Sequence, residues 1–261
     1  MTWKQSKRLG RSRIDFPASS THGWFRLSFL IGLGALVWGL GIPGVVESSQ
    51  TAPSSRATPI WEVPNSPNAL PLSLRNALER EGDAERGRES YTSCAVCHRD
   101  DGAGHSDGTF PQLAGQHSSI IVKQLIDIRE GRRANPLMLP FANRLSGAQE
   151  IADVARYVSL LPRSNQNGKG TGEDLALGAD LYERDCASCH GIEGEGDATR
   201  FIPALVGQHY GYMLRQIRDI GAGRRGNAHP EMVFLVAGYS DAELMALVDY
   251  ASRIRIQKSD E

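Results

Sequence analysis

The five-residue sequence Cys-Ala-Val-Cys-His, at positions 94–98, recurs as Cys-Ala-Ser-Cys-His at positions 186–190. These two copies contain all four cysteines of the chain. Two thiols at this spacing can each form a thioether to one haem, and the histidine that follows then lies beneath the iron as an axial ligand. The pattern predicts two covalently bound haem c groups, attached at Cys94, Cys97 and His98 and at Cys186, Cys189 and His190.

Two other kinds of site contain a cysteine pair of this spacing, namely a redox dithiol and half of a zinc site. Zinc ribbons place their two pairs about 15–20 residues apart, whereas Cys97 and Cys186 lie much farther apart in this chain. A dithiol oxidoreductase has no need of a histidine after each pair. Haem attachment is therefore the favoured interpretation, and zinc or dithiol chemistry is the alternative.

The N-terminal part of the chain has the composition of an anchor or an export signal. Residues 1–23 form a basic tail, and residues 27–46 contain no charged side chain. About 20 apolar residues suffice to cross a bilayer as a helix, and a basic tail favours a cytoplasmic N-terminus. We expect residues 24–46 to anchor the protein in the inner membrane. A cleaved signal is the alternative, although an A-x-A-like cleavage site does not follow the apolar run. Both alternatives place the remainder in the periplasm.

The remainder of the chain is predicted to contain a tether and two domains. Residues 47–76 are rich in Ser, Pro, Thr and Asn, which is typical of a flexible tether. The two domains are predicted at residues 77–163 and 173–256, and residues 164–172 form a short polar linker between them. The formal net charge of −1 gives no indication of a nucleic-acid partner.

The two domains are copies of one unit. When His98 is aligned with His190, further residues coincide in pairs: Gly102 with Gly194, Gly104 with Gly196, Pro111 with Pro203, residues 115–117 with 207–209, Gln124 with Gln216, and residues 131–133 with 223–225. Such internal similarity indicates one fold repeated in tandem.

Each unit is predicted to be a small helical fold around one haem. Helices are predicted near residues 84–93, 118–130, 174–184 and 210–222, and apolar spacing predicts a last helix in each unit that begins after Ser146 or Ser240 as N-cap. Sustained strand alternation is missing from the sequence, so the fold class is all-α. A unit of this size has a small core of its own, and a buried cofactor would supply much of the missing apolar volume.

A haem iron has a second axial position, and one methionine in each unit is the candidate ligand. Met138 is the sole methionine of the first unit, and Met232 occupies the matching place in the second. Thioether ligation opposite histidine favours reduced iron and closes it to other ligands, which suits electron transfer. His229 is the alternative in the second unit but has no counterpart in the first. Met213 and Met245 are expected to pack in the core.

Two repeated prolines are expected to support the ligating histidines. Pro111 and Pro203 each follow their histidine by thirteen residues. A ligating histidine normally donates its other ring N–H to a carbonyl or carboxylate, and proline holds its backbone at a fixed φ. The two proline carbonyls are therefore candidate acceptors.

Other repeated side chains have roles that the sequence leaves open. His117 and His209 are expected either to contact a haem propionate or to form a hydrogen bond at the start of a helix, the structural role being favoured. The arginine pairs at residues 132–133 and 224–225 are expected to neutralise propionates, to meet a partner, or simply to be solvated.

Together these motifs resemble the class I cytochromes c, and their tandem arrangement resembles the dihaem cytochrome c4 family. The resemblance covers about residues 77–256 and includes Gly-x-Gly and Pro-x-Leu-x-Gly-Gln-His after each haem motif. It implies two monohaem helical domains that face each other and deliver electrons to terminal oxidases or other periplasmic acceptors. This chain departs from the family in its long N-terminal segment and in two extra residues before Met232.

The leading hypothesis is a membrane-tethered dihaem electron carrier without substrate turnover. Its expected partners are redox proteins of the respiratory chain: an oxidase, a quinol–cytochrome c reductase or a dehydrogenase. One alternative is an obligate electron-accepting subunit of a periplasmic dehydrogenase. Another is a dihaem peroxidase, which would need an iron with an open or labile sixth site, and the paired methionines argue against it.

Overall fold

The structure is a computed structural model that describes residues 70–255. This part of the chain contains ten α-helices: α1 Leu72–Leu78, α2 Ala84–His98, α3 Ser118–Arg129, α4 Leu139–Arg144, α5 Ala148–Leu160, α6 Leu175–Asp185, α7 Ala187–His190, α8 Tyr210–Gly221, α9 Pro230–Val236 and α10 Asp241–Arg253. Among residues 70–255 the extended pairing is limited to an isolated bridge between Asp197 and Ile202. The predicted all-α fold class is confirmed.

The helices follow the repeat that the sequence predicts. Helix α2 corresponds to α6 and α7 together, and α3, α4 and α5 correspond to α8, α9 and α10. We call the two sets the first half (α1–α5) and the second half (α6–α10). Each half buries its own apolar cluster, with Ile151 and Val158 of α5 in one and Leu247 and Val248 of α10 in the other. The last helix of each half therefore supplies a continuous buried face, as its apolar spacing predicts.

A buried aspartate on the last helix of each half holds the chain that leads into α2 in the first half and into α6 in the second. Asp153 accepts the N–H of Asp83, the N-cap of α2, at 2.7 Å. Asp249 accepts the N–H of Gly172, ahead of α6, at 2.6 Å. Both aspartate side chains are 4% exposed. These bonds fix α2, which carries the first haem motif, and α6, which leads into the second, against the last helix of each half.

The predicted end of the tether is wrong, because helix α1 begins before it. The prediction treated residues 47–76 as flexible, but Leu72–Leu78 is helical. Leu74 and Ala77 are 0% and 1% exposed and join the apolar cluster of the first half. The ordered domain therefore begins before residue 77. A proline-rich composition obscured the short apolar pattern at this point.

The predicted N-caps of the two last helices have different outcomes. Ser240 caps α10 as expected and forms a capping box with Glu243. The prediction of Ser146 as a cap is wrong, because α5 begins one residue later with Gly147 at the N-cap and no capping side chain. The Ser146 N–H donates to the Glu150 carboxylate instead.

The basic tail at 1–23, the apolar segment at 24–46 and most of the predicted tether lie outside the described residues. Within residues 70–255, the structure contains no helix with the length and apolar character needed to cross a membrane.

Candidate haem-binding site

A continuous cavity of about 1740 Å³ is lined by residues of both halves. All eight predicted haem-binding residues lie in its wall, four from each half: Cys94, Cys97, His98, Met138, Cys186, Cys189, His190 and Met232. The cavity thus brings together each thiol pair, the histidine that follows it and the methionine predicted opposite it. Its two parts are continuous across the boundary between the halves.

His98 has the hydrogen bonding of an iron ligand. The side chain is 4% exposed, and its Nδ1 lies 3.1 Å from the Pro111 carbonyl oxygen. Its Nε2 is buried and has no hydrogen-bond partner. Leaving a buried polar atom unpaired costs about 1–3 kcal/mol, so a bond to iron at this atom fits the site. Burial lowers the pKa of His98 and keeps the imidazole neutral, as a metal ligand must be.

His190 repeats this arrangement in the second half. Its side chain is 9% exposed, and its Nδ1 lies 3.0 Å from the Pro203 carbonyl oxygen. Burial also lowers the pKa of His190. The predicted role of the two proline carbonyls is confirmed. Because each carbonyl binds Nδ1, the imidazole presents Nε2 to the cavity.

Helix ends position these histidines. Helix α2 runs through the first motif and ends at His98, whereas in the second half α6 ends at Asp185 and α7 carries the motif to His190. The next residues, Arg99 and Gly191, have φ angles of 68° and 82°. This left-handed conformation turns the chain away from the helix axis, toward the prolines that bind the imidazoles.

One thiol of each motif lacks the lowered pKa on which a redox dithiol depends. All four lie within the described residues, and none is in a disulfide. Burial raises the pKa of Cys94, and it raises that of Cys186 to about 12. Redox dithiols depend on a lowered thiol pKa. Within the described chain no cluster of three or more His, Cys, Asp or Glu side chains could hold a zinc ion.

The methionines sit at the start of the short helices α4 and α9. Met138 is the N-cap of α4, and its N–H donates to the Asn135 carbonyl oxygen at 3.1 Å. Met232 lies in the first turn of α9. His229, the alternative ligand, is the N-cap of that helix and accepts the Glu231 N–H at 3.3 Å. This cap gives His229 a structural role, so Met232 is the better candidate.

The other two methionines differ from each other. Met213 is 8% exposed and packs in the apolar cluster of the second half, as predicted. Met245 is 40% exposed, so the prediction that it packs in the core is wrong. It occupies the outer face of α10.

The repeated histidines bridge the two halves. His117 Nε2 lies 2.8 Å from the Glu195 carbonyl oxygen, and His209 Nε2 lies 2.7 Å from that of Ala103. Each histidine is the N-cap of a helix, yet neither side chain caps it. The favoured prediction, a hydrogen bond at the start of the helix, is wrong, because both side chains contact backbone carbonyls of the opposite half instead. The contacts join residues 78 and 106 positions apart, which sequence periodicity does not report.

One arginine of each pair faces the opposite half along the cavity. Arg133 donates to Gln216 Oε1 at 2.9 Å, and Arg225 donates to Gln124 Oε1 at 3.3 Å. Burial and the neighbouring Arg133 lower the pKa of Arg225 to about 10. Two cations held this close favour an anionic partner, and haem propionates fit that requirement. For Arg133 and Arg225 the solvated alternative is therefore wrong.

The other two arginines bind carboxylates of their own half. Arg132 is 7% exposed and donates to Asp127 at 2.6 Å. Arg224 is exposed and pairs with Asp219, so for Arg224 the solvated alternative is correct. Asp127 is fully buried and also accepts from Asn227 of the second half at 2.8 Å.

Sequence reasoning missed part of this polar cluster. Lys123 is 7% exposed and donates to Asp127 at 2.6 Å, and Tyr212 accepts from Arg133 at 3.2 Å. Burial opposes ionisation of Tyr212, but Arg133 and Arg225 outweigh it and lower its pKa. Asn227 aligns with Asn135 in the repeat, and this recurrence is the feature of the sequence that points to Asn227.

A helical unit that occurs twice, with a Cys-x-x-Cys-His motif and a carbonyl-bound histidine in each copy, defines a dihaem c-type cytochrome. The family model described as Cytochrome c matches residues 84–162 and 175–253. The chain belongs to this family and, within it, to the cytochrome c4 group. It carries two covalently bound haem c groups and transfers electrons.

Three similar proteins illustrate the relationship. A cytochrome c4 of Pseudomonas aeruginosa is 32% identical over 69% of this chain and 93% of its own length. A thiosulfate dehydrogenase electron acceptor of Stutzerimonas stutzeri is 33% identical over 68% of this chain and 90% of its own length. The crystal structure of reduced cytochrome c4 from Pseudomonas stutzeri matches with a TM-score of 0.60 and 30% identity, covering 67% of this chain and 100% of that one.

Proposed function

We propose that His98 and Met138 ligate one haem iron and that His190 and Met232 ligate the other. The observation that carries this proposal is the buried, unpartnered Nε2 of His98, in a cavity wall that also contains Met138. The thiols of each motif, in the same wall, would hold the porphyrin. Iron held between this imidazole and this thioether would exchange single electrons and would offer no open position to a substrate.

The chain's own residues set the conditions for that exchange. The Pro111 and Pro203 carbonyls hold the imidazole rings in one orientation and tautomer. Arg133 and Arg225 place positive charge in the wall of the cavity that would hold the haems, where it would suit their carboxylates. Since the halves share one cavity, two haems held there would lie in one enclosed space, and an electron could pass between them without crossing solvent.

Each half has an exposed apolar side chain in or beside its own haem motif. Val96, within the first motif, is 81% exposed, and Ile192, two residues after His190, is 78% exposed. Both lie outside the residues that line the cavity. Apolar surface on the outer side of each motif suits contact with a protein partner. We infer that each half docks a different redox partner.

We propose that these partners are periplasmic respiratory proteins, with a dehydrogenase or quinol–cytochrome c reductase as donor and a terminal oxidase as acceptor. Covalent haem attachment after export supports the periplasmic location, and the apolar segment at 24–46 supports attachment to the inner membrane. The similarity to a thiosulfate dehydrogenase electron acceptor favours a second candidate, in which the protein is the electron-accepting subunit of a dehydrogenase.

Spectroscopy of the purified protein tests the ligand assignment. The full chain is expressed together with a cytochrome maturation system, and its mass and visible spectrum are recorded. We expect a mass increase of two haems and six-coordinate low-spin iron that does not bind carbon monoxide when reduced. Rapid carbon monoxide binding at one haem would reverse the assignment in favour of a peroxidase.

Two further measurements separate the candidate partners. Isolation from native membranes shows whether a catalytic subunit copurifies in equal amount, as the dehydrogenase candidate requires. A purified thiosulfate dehydrogenase with thiosulfate is then mixed with the oxidised cytochrome, and haem reduction is followed by absorbance. Reduction without copurification would support a freely exchanging carrier.

A further inference from the structure

The peptide bond between Pro111 and Gln112 is hydrogen-bonded at both ends. Its carbonyl oxygen lies 3.1 Å from His98 Nδ1, and its N–H donates to Gln208 Oε1 at 3.0 Å. Gln208 belongs to the second half, and its Nε2 also donates to the Gln112 carbonyl oxygen at 2.9 Å. One side-chain amide therefore pairs with both backbone groups of the residue after the histidine-binding proline.

The second half contains the same arrangement with the partners exchanged. The Pro203 carbonyl oxygen lies 3.0 Å from His190 Nδ1, and the Ala204 N–H donates to Gln116 Oε1 at 3.1 Å. Gln116 Nε2 donates to the Ala204 carbonyl oxygen at 3.0 Å. Gln116 belongs to the first half, so each glutamine reaches the peptide that supports the other half's histidine.

The chain of hydrogen bonds polarises the imidazole. When an N–H is accepted by another group, the carbonyl oxygen of the same peptide becomes a stronger acceptor, and hydrogen bonds in a chain strengthen one another by about 10–30% each. Gln112 and Gln208 are only 5% and 8% exposed, so water screens these bonds little. A stronger bond at Nδ1 makes Nε2 more basic. A more basic axial ligand favours oxidised iron and lowers its reduction potential.

We propose that Gln208 and Gln116 are positioning residues, each of which lowers the reduction potential of the haem held by the opposite half. Gln208 acts on the haem at His98, and Gln116 acts on the haem at His190. This inference rests on the proposed ligation by these two histidines. The contact between the halves would then have two roles. It holds the halves together, and it helps to set the reduction potentials of the two haems.

The experiment replaces each glutamine in the full haem-loaded protein. Gln208→Leu and Gln116→Leu remove the acceptor while keeping a similar volume. Ser119→Ala is the matched control, because Ser119 Oγ donates across the same boundary to the Ala198 carbonyl oxygen at 2.6 Å without touching either proline peptide. The potentials of both haems are measured by spectroelectrochemical titration, and a Met138→His variant identifies the titration step of the first haem.

We expect Gln208→Leu to raise the potential of the first haem alone and Gln116→Leu to raise that of the second alone. The expected size is about threefold to tenfold in the reduction equilibrium constant, or about 28 to 59 mV for one electron. Ser119→Ala leaves both potentials unchanged. Gln208→Glu keeps an acceptor oxygen, and the first potential does not rise.

A folded leucine variant with an intact spectrum and unshifted potentials overturns the inference, as does an equal shift of both haems. If a leucine variant does not fold, the proposed hydrogen bonds are tested instead by hydrogen exchange at the Gln112 and Ala204 amides of the wild-type protein. Slow exchange supports the inference, and exchange as fast as at exposed amides overturns it. A wild-type spectrum without histidine–methionine ligation would instead overturn the proposed ligands.

Discussion

A Cβ atom added at Gly87 of α2 would lie 2.0 Å from the carbonyl oxygen of Asp153 of α5. Gly178 of α6 stands in the same relation to Ala246 of α10, at 2.1 Å. Helices α2 and α5 of the first half, and α6 and α10 of the second, therefore cross at a glycine with backbones in near contact. Each crossing sets the position of the haem motif, which lies on α2 in the first half and follows α6 in the second, against the core formed by the last helix.

Gly87→Ala is expected to destabilise the first half. Alanine favours a helix over glycine by about 1 kcal/mol, but the added methyl group must push the two backbones apart. We expect a net loss of about 1–3 kcal/mol in the free energy of unfolding, measured by denaturant titration of the haem-loaded protein. Gly147→Ala is the control, because nothing lies within 4 Å of a Cβ there. Equal stability of both variants would contradict the close crossing.

Met138→His and Met232→His are each expected to lower the potential of one haem and leave the other unchanged. Thioether ligation raises the potential relative to a second imidazole. The drop should exceed about tenfold in the reduction equilibrium constant, which is about 59 mV. Spectroelectrochemical titration and loss of the methionine–iron charge-transfer band check it. Met245→Leu, on the exposed face of α10, should behave as wild type.

Cys186→Ala combined with Cys189→Ala is expected to leave one haem instead of two. Both thiols line the cavity of the second half, and haem attachment there needs a thioether. Mass spectrometry and haem staining after denaturation give the count. The reciprocal variant, with Cys94→Ala and Cys97→Ala, should also retain one haem. Two haems in either variant would contradict attachment at the altered motif.

Arg225→Gln is expected to lower the potential of at least one haem. Removing a cation from the cavity wall makes oxidised, more positive iron easier to form. We expect a shift of up to about tenfold in the reduction equilibrium constant, or about 59 mV. Arg224→Gln removes the same charge from an exposed position paired with Asp219, and salt screens its effect. Identical shifts in the two variants would show that only net charge matters.

Asp153 is expected to make the first half sensitive to acid. Burial opposes its ionisation, but hydrogen bonds from Arg86 and the Asp83 N–H outweigh burial and hold the pKa below its ordinary value. Its stabilisation is therefore complete above the unfolded pKa of about 3.9 and is lost as the pH falls through the lower, folded pKa. The melting temperature of the wild type should fall across this window.

Asp153→Asn is expected to remove this dependence of stability on pH. We expect the variant to be about 1–3 kcal/mol less stable at neutral pH, with a melting temperature that changes less between neutral and acidic pH. Asp100→Asn, at an exposed position, is the control and should keep the acid sensitivity of the wild type. A variant that loses as much stability in acid as the wild type would rule Asp153 out as the source.

The sequence alone determined the haem motifs, the tandem repeat and the helices that follow apolar spacing. It also predicted the bonds from His98 to Pro111 and from His190 to Pro203, each spanning 13 residues. These features depend on local chemistry and on one-dimensional periodicity, so a single sequence contains them. The short α1, with its proline at the N-cap, had too weak a pattern to be recognised.

Only the tertiary structure decided how the halves meet. Gln208 pairs with Gln112 across 96 residues, and Gln116 pairs with Ala204 across 88. The sequence does not reveal which residue such a glutamine binds. A side-chain amide can pair with the backbone N–H and C=O of almost any residue, whatever its side chain. The partner follows from the orientation in which two separate apolar cores pack, which is a property of the whole folded chain.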